Sequence, residues 1–482
     1  MNYRVIFSTI GRVIITEALL LLLPLLVSVI YLEKCAFSFL ITIGVATAVG
    51  LIFIFVAKPK NQLIFSKEGF VTVALAWIFV SLIGCLPFIF SSEIPDFIDA
   101  FFETVSGFTT TGSTILTGDR IEGLSKGILF WRSFTHWIGG MGVLVFVMAI
   151  TSKNPDRSIH ILRAEMPGPS VDKLVPRFRD TAKILYLIYI GLTALLAIFL
   201  LFGGMSLFES VVYAFGTAGT GGFATRGTSI AGYNAYIQWV LTVGMFLFGV
   251  NFNLYYLILI GRFKSILKST ELKVYFAMVF LSITGIVINT CVVSTNFVFS
   301  DVVRNSAFQV TSIVSTTGFT TIDITALPEF SRTILFILMF IGGCAGSTSG
   351  GFKLSRAIIL AKSARSELKR ALHPRNANRI KFDGKYVSDG TVKSVANYLV
   401  LYLISLLILF LILSLDNTTF ETNITAAVSA FNNVGPAYGL AATDFVCYSG
   451  LSKVVLSLAM MLGRLEIYPI LLTIAPSTWI KK

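Results

Sequence analysis

Four times along this chain, an apolar stretch too short to cross a bilayer runs into a tail rich in glycine, threonine, serine or asparagine. The stretches are 94–105, 206–215, 302–314 and 419–431, and their tails are 106–114, 216–225, 315–321 and 432–439. Each pair lies between longer apolar runs. A spanning helix needs about 20 apolar residues. Runs of that kind occur near 13–31, 37–56, 70–90, 128–150, 184–202, 236–260, 274–294, 394–415 and 452–475. A tenth, near 333–343, is too short alone; it enters the glycine- and serine-rich decapeptide 342–351 and resumes as a basic amphipathic stretch over 352–372. Aligned on Gly112, Gly222, Gly318 and Gly435, the tails stand 110, 96 and 117 residues apart. The unit span, short helix, tail, span thus recurs four times in one orientation over about 70–475, with an additional amino-terminal pair of spans.

Composition fixes the solvent. The 482 residues are 55% hydrophobic and 13% charged, whereas soluble domains carry roughly a quarter charged residues. That leaves too little polar surface for a soluble enzyme, a disordered scaffold or a nucleic-acid-binding module. The net charge is +13, and about 29 of the 38 Lys and Arg fall in 1–12, 57–68, 151–183, 261–273, 353–393 and 481–482. The alternate segments hold about eight, with about 14 of the 25 acidic residues. This asymmetry predicts both termini in the cytoplasm and contact with anionic lipid headgroups, with no role for nucleic acid. The run 13–31 follows Arg4 and Arg12, is long enough to span and has no small-residue cleavage site after it, so it reads as the first transmembrane helix. Cys35, Cys85, Cys291, Cys344 and Cys447 show no CxxC or metal-ligand spacing, and His136, His160 and His373 are scattered.

Irregular backbone survives at membrane depth only where protein buries it or it lines water. Four re-entrant loops in like-oriented repeats can meet that condition around one axis. Their short helices then point negative dipole ends inward, and the tails supply rows of carbonyls that can replace a cation's water shell. Glycine permits the φ > 0 backbone that aims successive carbonyls at one axis. The candidate cation filter is Thr110, Thr111 and Gly112; Thr220, Gly221 and Gly222; Thr316, Thr317 and Gly318; and Asn433, Val434 and Gly435. The acidic residues Asp99, Glu103, Glu209, Asp301 and Glu421 read either as field-focusing groups at an outer mouth or as solvated helix ends.

The decapeptide 342–351 would lie below the filter. It reads as a movable barrier formed by Gly346, Ser347, Thr348, Ser349 and Gly350, with Lys353 after it, or else as a helix kink. Arg464 lies inside the last span, where an arginine normally faces the interior with a partner. Loop carbonyls are the favoured partners, with Glu466 or the interface as the other reading.

These tails, together with Phe130-Trp131-Arg132-Ser133-Phe134-Thr135-His136-Trp137-Ile138-Gly139-Gly140-Met141-Gly142, Ala164-Glu165-Met166-Pro167-Gly168-Pro169 and Gly346-Ser347-Thr348-Ser349-Gly350-Gly351-Phe352-Lys353, resemble the TrkH/TrkG branch of the Trk/Ktr/HKT potassium transporters. The resemblance covers essentially the whole chain. It implies an all-α polytopic membrane protein: four parallel membrane–pore–membrane repeats around a pseudo-fourfold pore, plus two extra N-terminal helices. It further implies K⁺ uptake across the bacterial cytoplasmic membrane, a homodimer with one pore per subunit, and a cytosolic nucleotide-binding regulatory ring (TrkA-like). On this reading 342–351 is the intramembrane gate and Arg464 the arginine facing it. The fourth tail, Asn433-Val434-Gly435-Pro436, departs most from the Thr-Thr-Gly pattern.

The expected division is 1–68 for the extra pair, 69–150 for repeat 1, 151–260 for the cytoplasmic loop and repeat 2, 261–372 for repeat 3 with its gating loop, and 373–482 for repeat 4. No catalytic constellation and no bound cofactor are expected; K⁺ is the cargo. The rival function is an H⁺- or Na⁺-coupled symporter with alternating access. Such proteins usually carry inverted repeats and midplane ionisable groups. Here the repeats are parallel, and Glu17, Arg464 and Glu466 are the few deep ionisable residues.

Overall fold

The first helix of every repeat is a long apolar rod: Ser66–Gly84, Phe178–Phe202, Thr270–Val293 and Asp389–Leu413. The computed structural model describes residues 1–58, 66–142, 178–294, 297–373 and 379–479. The 164–169 motif, most of the basic loop 151–183 and the final lysines fall outside them. Helices that are apolar all round belong in lipid or a large core. Of the apolar window in Thr270–Val293 only 11% is buried, so this rod lies on the outside of the bundle. The chain is a multi-pass, all-α membrane protein; its one described hairpin pairs Lys381–Phe382 with Lys385–Tyr386.

The extra amino-terminal pair, Tyr3–Leu20 with Leu22–Ile30 and then Ala36–Ala57, crosses at two glycines. A Cβ on Gly11 would come within 2.7 Å of Gly50 O, and one on Gly50 within 2.7 Å of Ile15 Cγ1. Small residues let helices approach closely in lipid, where packing rather than hydrophobicity drives association. Tyr3 stacks on Trp479 with ring centroids 6.0 Å apart, so both ends of the chain meet at one end of the bundle.

The short helices are Phe97–Phe108, Leu207–Gly219, Phe299–Val314 and Phe420–Asn432. Asp96 and Thr419 cap two of them, and Ser206 with Glu209 forms a capping box on the second. All four carry an acidic residue in the first turn: Asp99, Glu209, Asp301 and Glu421. That is the favourable place for negative charge on a helix dipole. Each short helix packs against the second helix of its own repeat and against that of the preceding repeat, and the first closes on the fourth. The four repeats therefore form a closed ring.

Ten crossings were expected, but among the described residues six helices are long and apolar enough to span, or seven with one bent pair. The difference lies in the second helices as described: Lys126–Gly140, Ala235–Phe248, Glu329–Ile341 and Gly450–Arg464, the end of the expected span 128–150 lying outside the described residues. At 1.5 Å per residue, their 13 to 15 residues cover about 20–22 Å, short of the ~30 Å hydrocarbon core. The expected span 236–260 is bent by 92° between Phe248 and Phe252. There the Asn251 side chain accepts from Asn253 N at 2.9 Å and starts a new helix, Phe252–Leu259. The expected span 452–475 breaks at 465–467, where Glu466 and Ile467 both have positive φ, and resumes as Tyr468–Ile474. Of the four second helices, only that of the third repeat, Glu329–Ile341, was anticipated from sequence to be too short to cross.

Candidate functional site

Each short helix ends in the same backbone turn. Thr110, Thr220, Thr316 and Asn433 take left-handed φ of 58°, 56°, 57° and 56°, and two residues on Gly112, Gly222, Gly318 and Gly435 take 80°, 78°, 85° and 104°. Left-handed residues alternating with right-handed ones let successive carbonyls face one way. Glycine adopts that geometry without the Cβ penalty and asparagine tolerates it, whereas the threonines hold it against steric preference.

The glycines also set the distance between strands. A Cβ on Gly112 would fall 1.9 Å from Gly221 O, on Gly222 2.0 Å from Thr317 O, on Gly318 2.4 Å from Val434 O, and on Gly435 2.7 Å from Thr111 O. Each glycine thus abuts the carbonyl of the residue before the glycine in the next repeat, and the fourth returns to the first. The twelve residues singled out from sequence come together as this one ring. Threonine hydroxyls tie down two strands: Thr111 to Thr109 at 2.8 Å, and Thr317 to Ser315 at 2.7 Å. The divergent fourth strand keeps the turn and bridges to the first. Asn433 Nδ2 donates to Thr111 Oγ1 and to Met460 O, both at 2.9 Å, and Ser113 Oγ donates to Gly435 O at 3.0 Å.

A second layer braces the chain as it leaves the ring. Nine residues before the glycine stand Glu103, Tyr213 and Gln309. Glu103 accepts from Thr114 Oγ1 at 2.9 Å and Ile115 N at 3.1 Å, Tyr213 OH accepts from Thr225 Oγ1 at 3.1 Å, and Gln309 Nε2 donates to Ile322 O at 3.3 Å. In the fourth repeat Thr425 Oγ1 accepts from Tyr438 N at 2.9 Å.

Glu103 is fully buried and pairs with Arg132 at 2.6 Å. The Arg132 guanidinium also donates to Ala224 O at 3.3 Å and lies 4.1 Å from the Phe223 ring centroid, which joins the first strand's brace to the second strand. Both sequence readings of Glu103, mouth charge or solvated helix end, are thereby corrected, because a carboxylate at this depth requires a partner. Asp99 pairs with Lys453 at 2.6 Å, Glu209 with Arg226 at 3.1 Å and Asp301 with Arg304 at 2.9 Å, and Glu421 pairs with Arg332. Each acidic group that was read as free charge is matched by a cation.

The decapeptide 342–351 is not a kinked helix. It is a loop seated in the bend of the second repeat. Cys344 N donates to Gly249 O and Phe252 N to Gly346 O, both at 3.0 Å, and Thr348 Oγ1 donates to Phe248 O at 3.3 Å. Ala345 N donates to buried Glu271 Oε1 at 2.8 Å. At its far end the loop reaches the ring itself: Gly350 N donates to Thr316 Oγ1 at 2.7 Å, and a Cβ on Gly350 would sit 2.4 Å from Asn432 O. Ser347 and Ser349 hydroxyls meet at 2.7 Å, and buried Lys353 donates to Ser349 O.

Arg464 joins this loop to the opposite wall. It donates to Thr348 O at 2.7 Å and to Gly139 O and Gly140 O at 2.6 Å. Glu466 meets Arg356 at 2.5 Å. Beside it, Ile467 (φ 67°, ψ −55°) centres a γ-turn in which Tyr468 N donates to Glu466 O at 2.7 Å. A β-branched residue in this conformation stores strain of about 1–3 kcal/mol.

Sequence reasoning missed the bend at 249–251, the Glu103–Arg132 pair and the role of Glu271. The Gly249-Val250-Asn251 punctuation and Pro469 inside an expected span were available as break signals. The ion pair left none.

A family model described as cation transport protein (TrkH) matches residues 36–482. The Trk system potassium uptake protein TrkH of Escherichia coli K12 is 34% identical over 99% of this chain and 100% of its own length. The Trk system potassium uptake protein TrkG of the same strain is 32% identical over 99% of both chains. The crystal structure of the potassium transporter TrkH from Vibrio parahaemolyticus superposes with a TM-score of 0.90 at 30% identity, covering 100% of both chains.

Proposed function

Since the chain belongs to the TrkH cation transport family, we propose that it takes up K⁺ across the bacterial cytoplasmic membrane through a carbonyl-lined filter. The filter is the ring of Thr110–Gly112, Thr220–Gly222, Thr316–Gly318 and Asn433–Gly435, and 346–350, with Lys353 and Arg464, is its gate. The observation that carries this reading is the closed cycle of four glycine–carbonyl contacts. Four equivalent strands at that separation offer a dehydrated cation several oxygens at once. The loop supports the gate assignment because it bonds to Thr316 on one side and to Arg464 on the other. Arginine keeps its charge and presents five donors, so it both latches carbonyls and repels a cation beneath the ring.

The five segments given from sequence then serve as an accessory pair and four pore repeats, with both termini in the cytoplasm, where the loops 151–183 and 353–393 supply a basic surface. That surface suits docking of a cytosolic nucleotide-binding ring, and the subunit functions as a homodimer in contact with anionic lipid. A coupled symporter draws on one observation: buried Glu17, whose carboxylate oxygens have no hydrogen-bond partner among the described residues.

Reversal potentials in proteoliposomes under separate K⁺, Na⁺ and pH gradients distinguish the two. A potential that follows the K⁺ gradient alone is expected. One that moves with pH or Na⁺ at fixed K⁺ would establish coupling instead.

A further inference from the structure

The second strand of the ring lacks side chains that the others carry, among them the pairs that tie down the first and third strands. At the position before the aligned glycine, the other repeats carry Thr111, Thr317 and Val434, whereas the second has Gly221. Two residues earlier they carry Thr109, Ser315 and Asn432, whereas the second has Gly219. One residue of the preceding repeat occupies both spaces, with its imidazole at 221 and its backbone at 219. A Cβ on Gly221 would fall 2.2 Å from His136 Cγ, and one on Gly219 would fall 2.2 Å from His136 O.

The imidazole is fully buried and bonded at both nitrogens. Nδ1 lies 2.7 Å from Gly107 O, at the end of the first short helix, and Nε2 lies 3.3 Å from Phe223 N, directly after Gly222. A carbonyl only accepts and an amide N–H only donates, so the ring holds its proton on Nδ1 and offers Nε2 as acceptor. Its face packs on Phe223 with centroids 4.2 Å apart.

We propose that His136 is a specificity-determining positioning residue for the second filter strand. Acting through Gly221 and Phe223, it replaces across the repeat boundary the side-chain brace that this strand does not carry itself. The inference rests on the filter reading above.

The test is the K⁺/Na⁺ permeability ratio from bi-ionic reversal potentials, which depends on the geometry of inserted molecules and not on their number. His136→Ala is expected to lower the ratio about fivefold, the scale of one buried hydrogen bond. His136→Gln, with an amide able to donate to Gly107 O and accept from Phe223 N–H, is expected to restore most of it. His136→Leu fills the space without either bond; it should match His136→Ala and serves in its place if the alanine variant does not insert. Gly221→Ser should lose selectivity alone and lose less when His136→Ala vacates the space.

Wild-type selectivity in His136→Leu, or losses that simply multiply in the double variant, would overturn the proposal. Gly112→Ser serves as the control for the ring. If it is unselective while the His136 variants are unchanged, only the role of His136 fails. If it too is unchanged, the filter reading falls and this inference with it.

Discussion

At the scale of single residues, glycine is the informative one because its reason for being there is visible in the chain. A left-handed turn and a neighbouring carbonyl within 2.7 Å or less of a built Cβ both demand glycine, and four such demands at similar spacing leave a pattern that a reader can align. Glu103 and Arg132 leave none: they are 29 positions apart, and their pairing is decided by how two helices pack. Removing one partner of a buried pair strands the other charge, at about 3–5 kcal/mol, whereas replacing both by apolar groups of similar volume is often close to neutral. Arg132→Ala should therefore lower the unfolding midpoint in detergent sharply, and Arg132→Met combined with Glu103→Met should recover much of that loss. Tryptophan fluorescence follows the transition. A double variant no more stable than Arg132→Ala would mean that the pair contributes something other than mutual neutralisation.

Among the elements, the long rods are legible because nothing interrupts their apolar run, and Thr270–Val293 lies close to where sequence sets it. The second helices are less so: the glycine-rich stretch after the third announces its end, but the breaks in repeats two and four leave only weak local signals, Gly249 and Pro469, and are stabilised by neighbours distant in sequence. The bend at Phe248 is held by the loop from the third repeat, and the break after Arg464 lies beside the Arg356–Glu466 pair. The loop, the bend and the arginine are parts of one latch. Losing Arg464 removes three charge-assisted bonds, and even one such bond, worth about 1.5–3 kcal/mol, corresponds to a shift of about tenfold or more in the closed-to-open equilibrium. Arg464→Ala, and separately a deletion within 346–350, should raise ⁸⁶Rb⁺ uptake into proteoliposomes, normalised to inserted protein, by about that factor with selectivity unchanged. Equal or lower flux in both variants, with the fold intact, would leave the loop as a packing feature.

For the molecule as a whole, closure is what matters. Each short helix is shared between two repeats, the fourth meets the first, and the four glycines abut four carbonyls in the same cyclic order. Like orientation and spacing of the tails pointed to this ring. The order in which strands touch and the histidine that crosses between repeats could not be read, because both depend on which surfaces face each other after folding. A ring of this kind is only as selective as each of its members, since displacing one carbonyl opens the cage on that side. The most direct measurement is the K⁺/Na⁺ permeability ratio of Gly112→Ser, Gly222→Ser, Gly318→Ser and Gly435→Ser, each taken singly by bi-ionic reversal potential. All four should discriminate less than the parent protein, with Gly435→Ser the mildest because its Cβ would have the most room, 2.7 Å from the facing carbonyl. Parental selectivity in the properly inserted serine variants would contradict a filter built from these four strands.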